Sequence, residues 1–136
     1  MESQTIAFKQ IHDDHYIWLS ELDNNWNKIV GFRHKLKNLP KLNKAIAMDI
    51  ELNQIEAQFS ILEQSIERIS DNIKMNQFWL NNILSPLNIR EDDRCYGEHK
   101  DLATEIQILR QLYLETEKKY YDFISTWKYE IHTCNQ

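Results

Sequence analysis

Glycine and proline are almost missing from this sequence, which has two of each in 136 residues. These residues most often interrupt regular structure, so a chain with so few of them is typical of long helices. Pro40 and Pro86 stand between three long segments, and Gly97 follows the second of them. The length suits one domain with its own core. We therefore expect few breaks, and we expect the prolines to mark them.

Positive charge and long apolar runs are also scarce. Lysine and arginine number 16 against 21 acidic residues, for a net charge of −5. Nucleic acids and anionic membranes bind basic patches, so this balance argues against both as partners. No apolar run approaches the ~18 residues that cross a bilayer. The opening residues, Met1 to Thr5, lack the basic and apolar regions of a signal peptide.

The chain has two cysteines, Cys95 and Cys134, and their spacing matches no metal or redox motif. A helical layout puts them near opposite ends of a long bundle. That separation is far beyond the ~7 Å between Cα atoms that a disulfide tolerates. We expect both to be thiols in a reducing cytoplasm.

The strongest pattern is an alternation of three and four between apolar residues in the middle segment, Lys41 to Leu84. This spacing is a heptad seam, and such a seam is buried only against other helices. All its a positions are apolar, and Asn76 is the one polar d position. The a positions are Ala45, Leu52, Phe59, Ile66, Ile73 and Leu80, and the d positions are Met48, Ile55, Leu62, Ile69, Asn76 and Ile83.

The flanking segments keep the same repeat, with polar exceptions at His15 and Asn25 in the first and at His99 and Thr116 in the third. Short links between long helices favour antiparallel neighbours. The sequence therefore predicts an all-α fold: an up-down-up antiparallel three-helix bundle, or coiled coil, with long helices. We expect a single domain over 1–136, with helices over about 3–38, 40–85 and 98–133.

Folding the chain at its two breaks predicts which residues share a height in the bundle. His15 then lies level with Thr116 and Glu117, and Asn25 lies level with Trp127. A buried polar side chain without a partner costs ~1–3 kcal/mol, and such residues often determine helix register. We predict a polar layer of His15, Thr116 and Glu117 with this role, and a contact between the Asn25 amide and the Trp127 indole.

The histidines are the only candidates for chemistry. His12 and His15 are one helical turn apart and could hold a metal ion from one face. No histidine has the carboxylate three residues earlier that di-iron bundles require, and the His-Glu-x-x-His motif is absent. His99 is expected well below His15. We therefore expect no metal, no cofactor and no catalytic residues, with His12 and His15 as the alternative metal site.

Several apolar residues near the end of the second helix are expected to lie level with the start of the first helix or beyond it. Met75, Phe78, Trp79 and Ile83 form the candidate interface. Beyond Asn76 the predicted second helix runs past the start of the first, so its seam there faces only the third helix. Exposed apolar patches often mark partner surfaces. We expect a protein partner or self-association, with a homodimer as one possibility.

The opening stretch His12-x-x-His15-x-x-Trp18-Leu19-x-Glu21-Leu22 resembles a group of small bacterial all-helical proteins of unknown function. The likeness continues at Trp26, Ile29, Phe32 and Leu36, and in the stretch from Ile50 to the Gln58-Phe59 pair. It covers the first two helices and implies a helical fold without an activity. In that group the middle helix carries a histidine near the positions that Ser70 and Asp71 occupy here. This chain lacks that histidine, which further disfavours a metal.

These observations favour a non-enzymatic, cytoplasmic helical bundle that acts as an interaction or assembly module. The alternative is a histidine-based metal-binding or sensor bundle centred on His12 and His15. An enzyme would need a concave pocket with convergent polar groups, which slender bundles seldom have.

Overall fold

The computed structural model describes residues 5–39, 46–82, 88–90 and 94–134, with side chains at 8–39, 46–82 and 94–127. Within these ranges the elements follow one another as β1 (Thr5–Ala7), α1 (Phe8–Lys37), α2 (Ile46–Asn81), β2 (Asn88–Arg90) and α3 (Arg94–Cys134). The predicted ends at Ser3, Pro40 and Ser85 lie outside the described residues.

The helices form the antiparallel three-helix bundle that the sequence predicts. Arg33, near the end of α1, bonds Glu56 in the first half of α2, at 3.0 Å. His15, earlier in α1, bonds Gln77 near the end of α2. The two helices therefore run in opposite directions. In the same way Trp127 near the end of α3 donates to Glu51 near the start of α2, so α3 is antiparallel to α2.

Burial follows the predicted heptad seam along each helix. Buried residues recur at steps of three and four because only this spacing keeps one face of a helix against its neighbours. In α1 they are Ile11, His15, Trp18, Leu22, Asn25, Ile29, Phe32 and Leu36. In α2 they are Met48, Ile55, Phe59, Leu62, Ile66, Ile69, Ile73, Asn76 and Leu80. In the described part of α3 they are His99, Leu102, Ile106, Leu109, Tyr113, Thr116, Tyr120 and Phe123.

An aromatic layer joins the helices in one half of the bundle. The Phe32 ring of α1 stacks on the Tyr120 ring of α3, with centroids 4.3 Å apart. Phe59 of α2 lies 6.0 Å from both rings. Phe59 is fully buried and Tyr120 nearly so. Aromatic residues bury more area than any aliphatic side chain, so this layer contributes strongly to the core.

A short antiparallel ribbon at one end of the bundle was not predicted. Thr5 pairs with Arg90, Ile6 with Ile89 and Ala7 with Asn88. The ribbon connects the start of α1 to the segment before α3. Consequently α1 begins at Phe8 rather than near Ser3. The third helix, α3, begins at Arg94 rather than near residue 98, so Gly97 lies within it. The pairing joins segments more than 80 residues apart, which no local periodicity reveals.

The prediction that the lower seam of α2 faces only α3 is wrong. Leu80 and Ile11 are fully buried in one cluster, and Phe8, Cys95 and Tyr96 pack against it. The start of α1 therefore lies level with the end of α2. A tight turn at Pro40, the break expected from the sequence, would instead place Ile11 level with Ile69.

The cysteines lie near the two ends of α3, which begins at Arg94 and ends at Cys134. At 1.5 Å per residue this is a separation of roughly 58 Å, which excludes a disulfide between them within one chain. Within the described ranges, no helix is both long enough and apolar enough to span a bilayer.

We expect Ile73→Ala to lower the free energy of unfolding by about 2–5 kcal/mol, because Ile73 is fully buried in the seam. Ile61→Ala is the matched control, since Ile61 is 56% exposed in the same helix. Its effect should stay within about 0.5 kcal/mol. Urea unfolding followed by circular dichroism compares the two, and equal losses would contradict the observed seam.

Candidate functional site

Three of the polar exceptions of the seams, one from each helix, meet at one height of the bundle. His15 of α1, Asn76 of α2 and His99 of α3 are 2%, 1% and 5% exposed. Nε2 of His15 lies 3.4 Å from Nδ1 of His99. We call these three residues the polar layer. Each helix contributes one member, so the layer forms only when all three helices are in register.

The outer nitrogen of each imidazole is bonded to a residue nearer the surface. His15 Nδ1 lies 2.6 Å from Gln77 Oε1, and His99 Nε2 lies 3.0 Å from a carboxylate oxygen of Asp14. The Trp18 indole stacks on the His99 ring with centroids 4.9 Å apart. These contacts hold both rings in place, and the indole covers one face of His99.

Counting protons defines how the two imidazoles share hydrogen bonds. His99 must donate from Nε2, because a carboxylate only accepts. If Gln77 Oε1 accepts from His15 Nδ1, two neutral rings face each other with unprotonated nitrogens. Exchanging the amide oxygen and nitrogen of Gln77, together with those of Asn81 to which it is bonded, removes this conflict. Gln77 then donates to His15, His15 to His99 and His99 to Asp14, in a continuous chain of neutral rings.

Burial keeps both imidazoles neutral. Loss of hydration is the main cause that lowers the pKa of His15. The pKa of His99 is lowered for the same reason, although the Asp14 carboxylate acts in the opposite direction. The charged form of either ring lacks the solvation that it has in water. The polar layer therefore resists protonation more than a histidine on the surface would.

Asn76 completes the layer but is not fully satisfied. Its Nδ2 donates to the Cys95 carbonyl at 3.2 Å and to Glu98 at 3.3 Å. Its Oδ1 is buried and has no hydrogen-bond partner among the described residues. An unpaired buried oxygen of this kind costs on the order of 1–3 kcal/mol. The layer therefore lowers the stability of the seam that contains it.

The predicted members of the polar layer lie elsewhere. Thr116 is buried but donates to the Leu112 carbonyl of its own helix, and Glu117 accepts from the Tyr113 hydroxyl. Thr116 follows His99 by 17 residues of the same helix, or roughly 25 Å. The pairing of His15 with Thr116 and Glu117 is therefore wrong.

The predicted contact between Asn25 and Trp127 is also wrong. Asn25 is buried in α1 as expected, but the Trp127 indole N–H donates to Glu51 at 3.0 Å. All of these errors have one cause. His15 faces Gln77 rather than Ser65 and Ile66, so α1 is displaced along α2 by about three turns from the position that a tight link would give.

His12 and His15 both contact the side-chain amide of Gln77. Both nitrogens of His12 lie near Gln77 Nε2, at 2.8 and 2.9 Å, whereas His15 contacts His99 across the seam. The prediction that His99 lies well below His15 is wrong for the same reason as the other heights. Across the residues with described side chains, no group of three or more His, Cys, Asp or Glu residues is placed to hold a metal ion.

A second candidate region is the groove between α2 and α3, which we call the α2–α3 groove. It contains depressions of about 390, 220 and 300 Å³. Ile61, Ile108 and Leu112 are 56%, 57% and 41% exposed, and Ile61 and Leu112 line its middle depression. Sequence analysis did not select these three residues, although their positions outside the seam were visible in it.

The predicted interface residues are split between two surfaces. Met75 is 55% exposed and lines the α2–α3 groove. Phe78 and Trp79 are 57% and 53% exposed and contact each other edge to face with centroids 5.7 Å apart. The side chain of Ile83 lies outside the described residues. The structure thus leaves three of the four accessible to a partner.

Comparison with known proteins gives no match: no family model, curated protein sequence or solved structure is similar enough to the chain. The resemblance of the opening histidine and tryptophan motif to small bacterial helical proteins therefore stays a prediction. The features of this chain that bear on its function are the polar layer and the exposed surface.

We expect the protein to lose stability as the pH falls below ~6.5, the pKa of an unperturbed histidine. His15 and His99 have a lower pKa in the folded than in the unfolded chain. The unfolded chain therefore binds more protons in this range, and the contribution to stability is complete above ~6.5 and is lost as the pH drops through the folded pKa values.

NMR titration of the two imidazole Cε1–H signals gives the measurement, together with urea unfolding at pH ~7.5 and ~5.5. His15→Gln/His99→Gln should flatten the pH dependence between those values. An imidazole of the layer that titrates at or above ~6.5 in the folded protein would contradict the assignment.

We expect Asn76→Leu to raise the free energy of unfolding by about 1 kcal/mol, because it removes the unpaired buried oxygen and extends the apolar seam. Asn76→Ala is the control. It also removes the oxygen but leaves a space unfilled, and it should not be stabilising. Urea unfolding measures both, and a loss of stability in Asn76→Leu would show that the amide contributes more than it costs.

Proposed function

We propose that this chain is a non-enzymatic helical-bundle module that acts by binding another protein through exposed apolar side chains on its helices. The observation that carries the proposal is the exposure of Ile61 and Leu112 in the α2–α3 groove, together with that of Ile108, one helical turn from Leu112 on α3. Isolated exposed apolar residues are ordinary on protein surfaces. A group of them lining a groove is the arrangement of a protein-binding surface.

The position of the polar layer supports a non-enzymatic role. His15 and His99 are the residues best suited to acid–base chemistry, and they are 2% and 5% exposed in the seam. A substrate could reach them only if the helices separated. General acid–base catalysis requires the side chain within hydrogen-bond reach of the proton that it transfers. The layer therefore acts on register and stability rather than on a substrate.

A partner other than a second copy fits the surface better. A homodimer was expected because the sequence predicts an uncovered seam at the end of α2. In the structure Ile11 covers that seam. Each copy also carries a net charge of −5, which opposes self-association. Cytoplasmic location is part of the proposal, because Cys95 and Cys134 are too far apart to form a disulfide together.

Site-specific photocrosslinking tests the proposal. We expect p-benzoylphenylalanine at Ile108 or at Trp79 to yield an adduct of discrete mass in the cells that make the protein, because both side chains are more than half exposed at candidate surfaces. Val30, 50% exposed on α1, is the control position and should yield none.

The proposal fails if neither candidate position gives a discrete adduct, or if the adduct at Val30 is the same. Mass spectrometry of the adduct identifies the partner. An adduct with the mass of two copies of the chain would replace the proposed partner with a homodimer.

A further inference from the structure

The depressions of the α2–α3 groove follow one another along most of the bundle, and the ion pair between Arg68 and Glu105 joins the two helices at the edge of the last one. Its first depression is lined by Glu51 and Thr126, its middle by Ile61 and Leu112, and its last by residues that include Met75. On α3 the lining runs from Glu98 to Thr126, which at 1.5 Å per residue is roughly 42 Å. The groove is therefore long enough to hold a helix of many turns.

The groove lies on the side of α2 that faces away from α1. The bonds from α2 to α1 come from Glu56, Glu63 and Gln77, which share one side of α2. Gln58 and Ile61 line the groove from the other side of the seam. A helix in the groove would contact α2 and α3 without displacing α1, as a fourth helix does in a bundle.

The charges around the groove distinguish between possible occupants. The three depressions are lined by six carboxylates and one ammonium group, that of Lys119. The carboxylates belong to Glu51, Glu98, Asp101, Glu105, Glu115 and Asp122. Asp101 and Asp122 form no ion pair with any described residue. The ratio of acidic to basic residues is smaller in the whole chain, which has 21 acidic and 16 basic residues. Arg68 and Arg94 pair with Glu105 and Glu98, but carboxylates remain in excess around the apolar centre of the groove.

We infer that the α2–α3 groove binds a basic amphipathic helix of another protein. Its apolar face would cover Ile61, Ile108 and Leu112, and its lysine or arginine residues would lie beside the carboxylates. Recognition of this kind combines apolar anchors at helical spacing with charges that determine the partner. A second copy of this chain would bring like charges together, which disfavours it. The inference rests on the proposed function and names its partner.

Gln58 adds a polar feature to the same surface. It lines both the first and the middle depression, and its Oε1 is buried without a hydrogen-bond partner among the described residues. If the half-buried Gln58 side chain turns toward the groove, this oxygen can accept a hydrogen bond from a lysine or arginine of the bound helix. A donor there would satisfy an atom that is otherwise unpaired, so the partner would gain specificity as well as attraction.

Three synthetic helical peptides test the inference. They share one apolar stripe of leucines at heptad spacing and carry lysine, glutamine or glutamate at all flanking positions. Binding to the full chain is measured by fluorescence anisotropy at ~0.05 and ~0.15 M salt. We expect the lysine peptide to bind at least ~10-fold more tightly than the glutamine peptide and the glutamate peptide to bind weakest, with the difference decreasing at higher salt.

Matched variants show whether binding occurs in the groove. The double substitution Ile108→Ser/Leu112→Ser should lower the affinity for the lysine peptide by at least ~10-fold, because it removes apolar anchors. Ile17→Ser/Val30→Ser removes two side chains of similar exposure on α1 and should leave binding unchanged. Equal effects of the two variants, or no preference for lysine over glutamine, would overturn the inference.

The outcome is separable from that of the proposed function. An adduct at Ile108 with a partner whose crosslinked helix is acidic or neutral would overturn the basic occupant while the interaction role stands. Lysine-peptide binding in the groove without any discrete adduct in cells would support the chemistry of the groove and contradict the proposed role. An adduct with a basic amphipathic helix would support both.

Discussion

The burial of one seam on each helix is the constraint on which the rest of the structure depends. Ile29, Phe59 and Ile73 are fully buried, and burying such a side chain contributes ~1.5–3 kcal/mol. The seam determines which face of each helix points inward. Every other feature, including the polar layer and the groove, is defined by its position relative to that seam.

The polar layer is one of the places where the seam departs from an apolar pattern, and Asn25 and Thr116 are others. Each helix contributes one polar side chain to the layer, and two of them are imidazoles whose pKa is lowered by burial. A layer of this kind lowers stability, yet it forms only when the helices are in one register. The half-buried partners of the layer, Asp14 and Gln77, connect it to the surface.

The fold and the inward-facing residues could be predicted from the sequence because helical periodicity is local. The heptad positions of Phe59, Ile73 and Tyr120 are buried as expected. Asn76 and His99 were recognisable as polar exceptions for the same reason. The ribbon between Ile6 and Ile89 was not, since strand pairing between distant segments leaves no periodic signal in three residues. The apolar groove could not be predicted either, because it depends on which off-seam residues of α2 lie beside which off-seam residues of α3.

What the sequence by itself determined is therefore the number of helices and the face that each one buries. Only the tertiary structure decided the heights at which they meet. A heptad repeat looks the same after every two turns, so the pattern permits several offsets between α1 and α2. The packing of Ile11 against Leu80 and the ribbon select one of these offsets. That offset places His15 beside His99 and Gln77, about three turns from the position expected from the sequence.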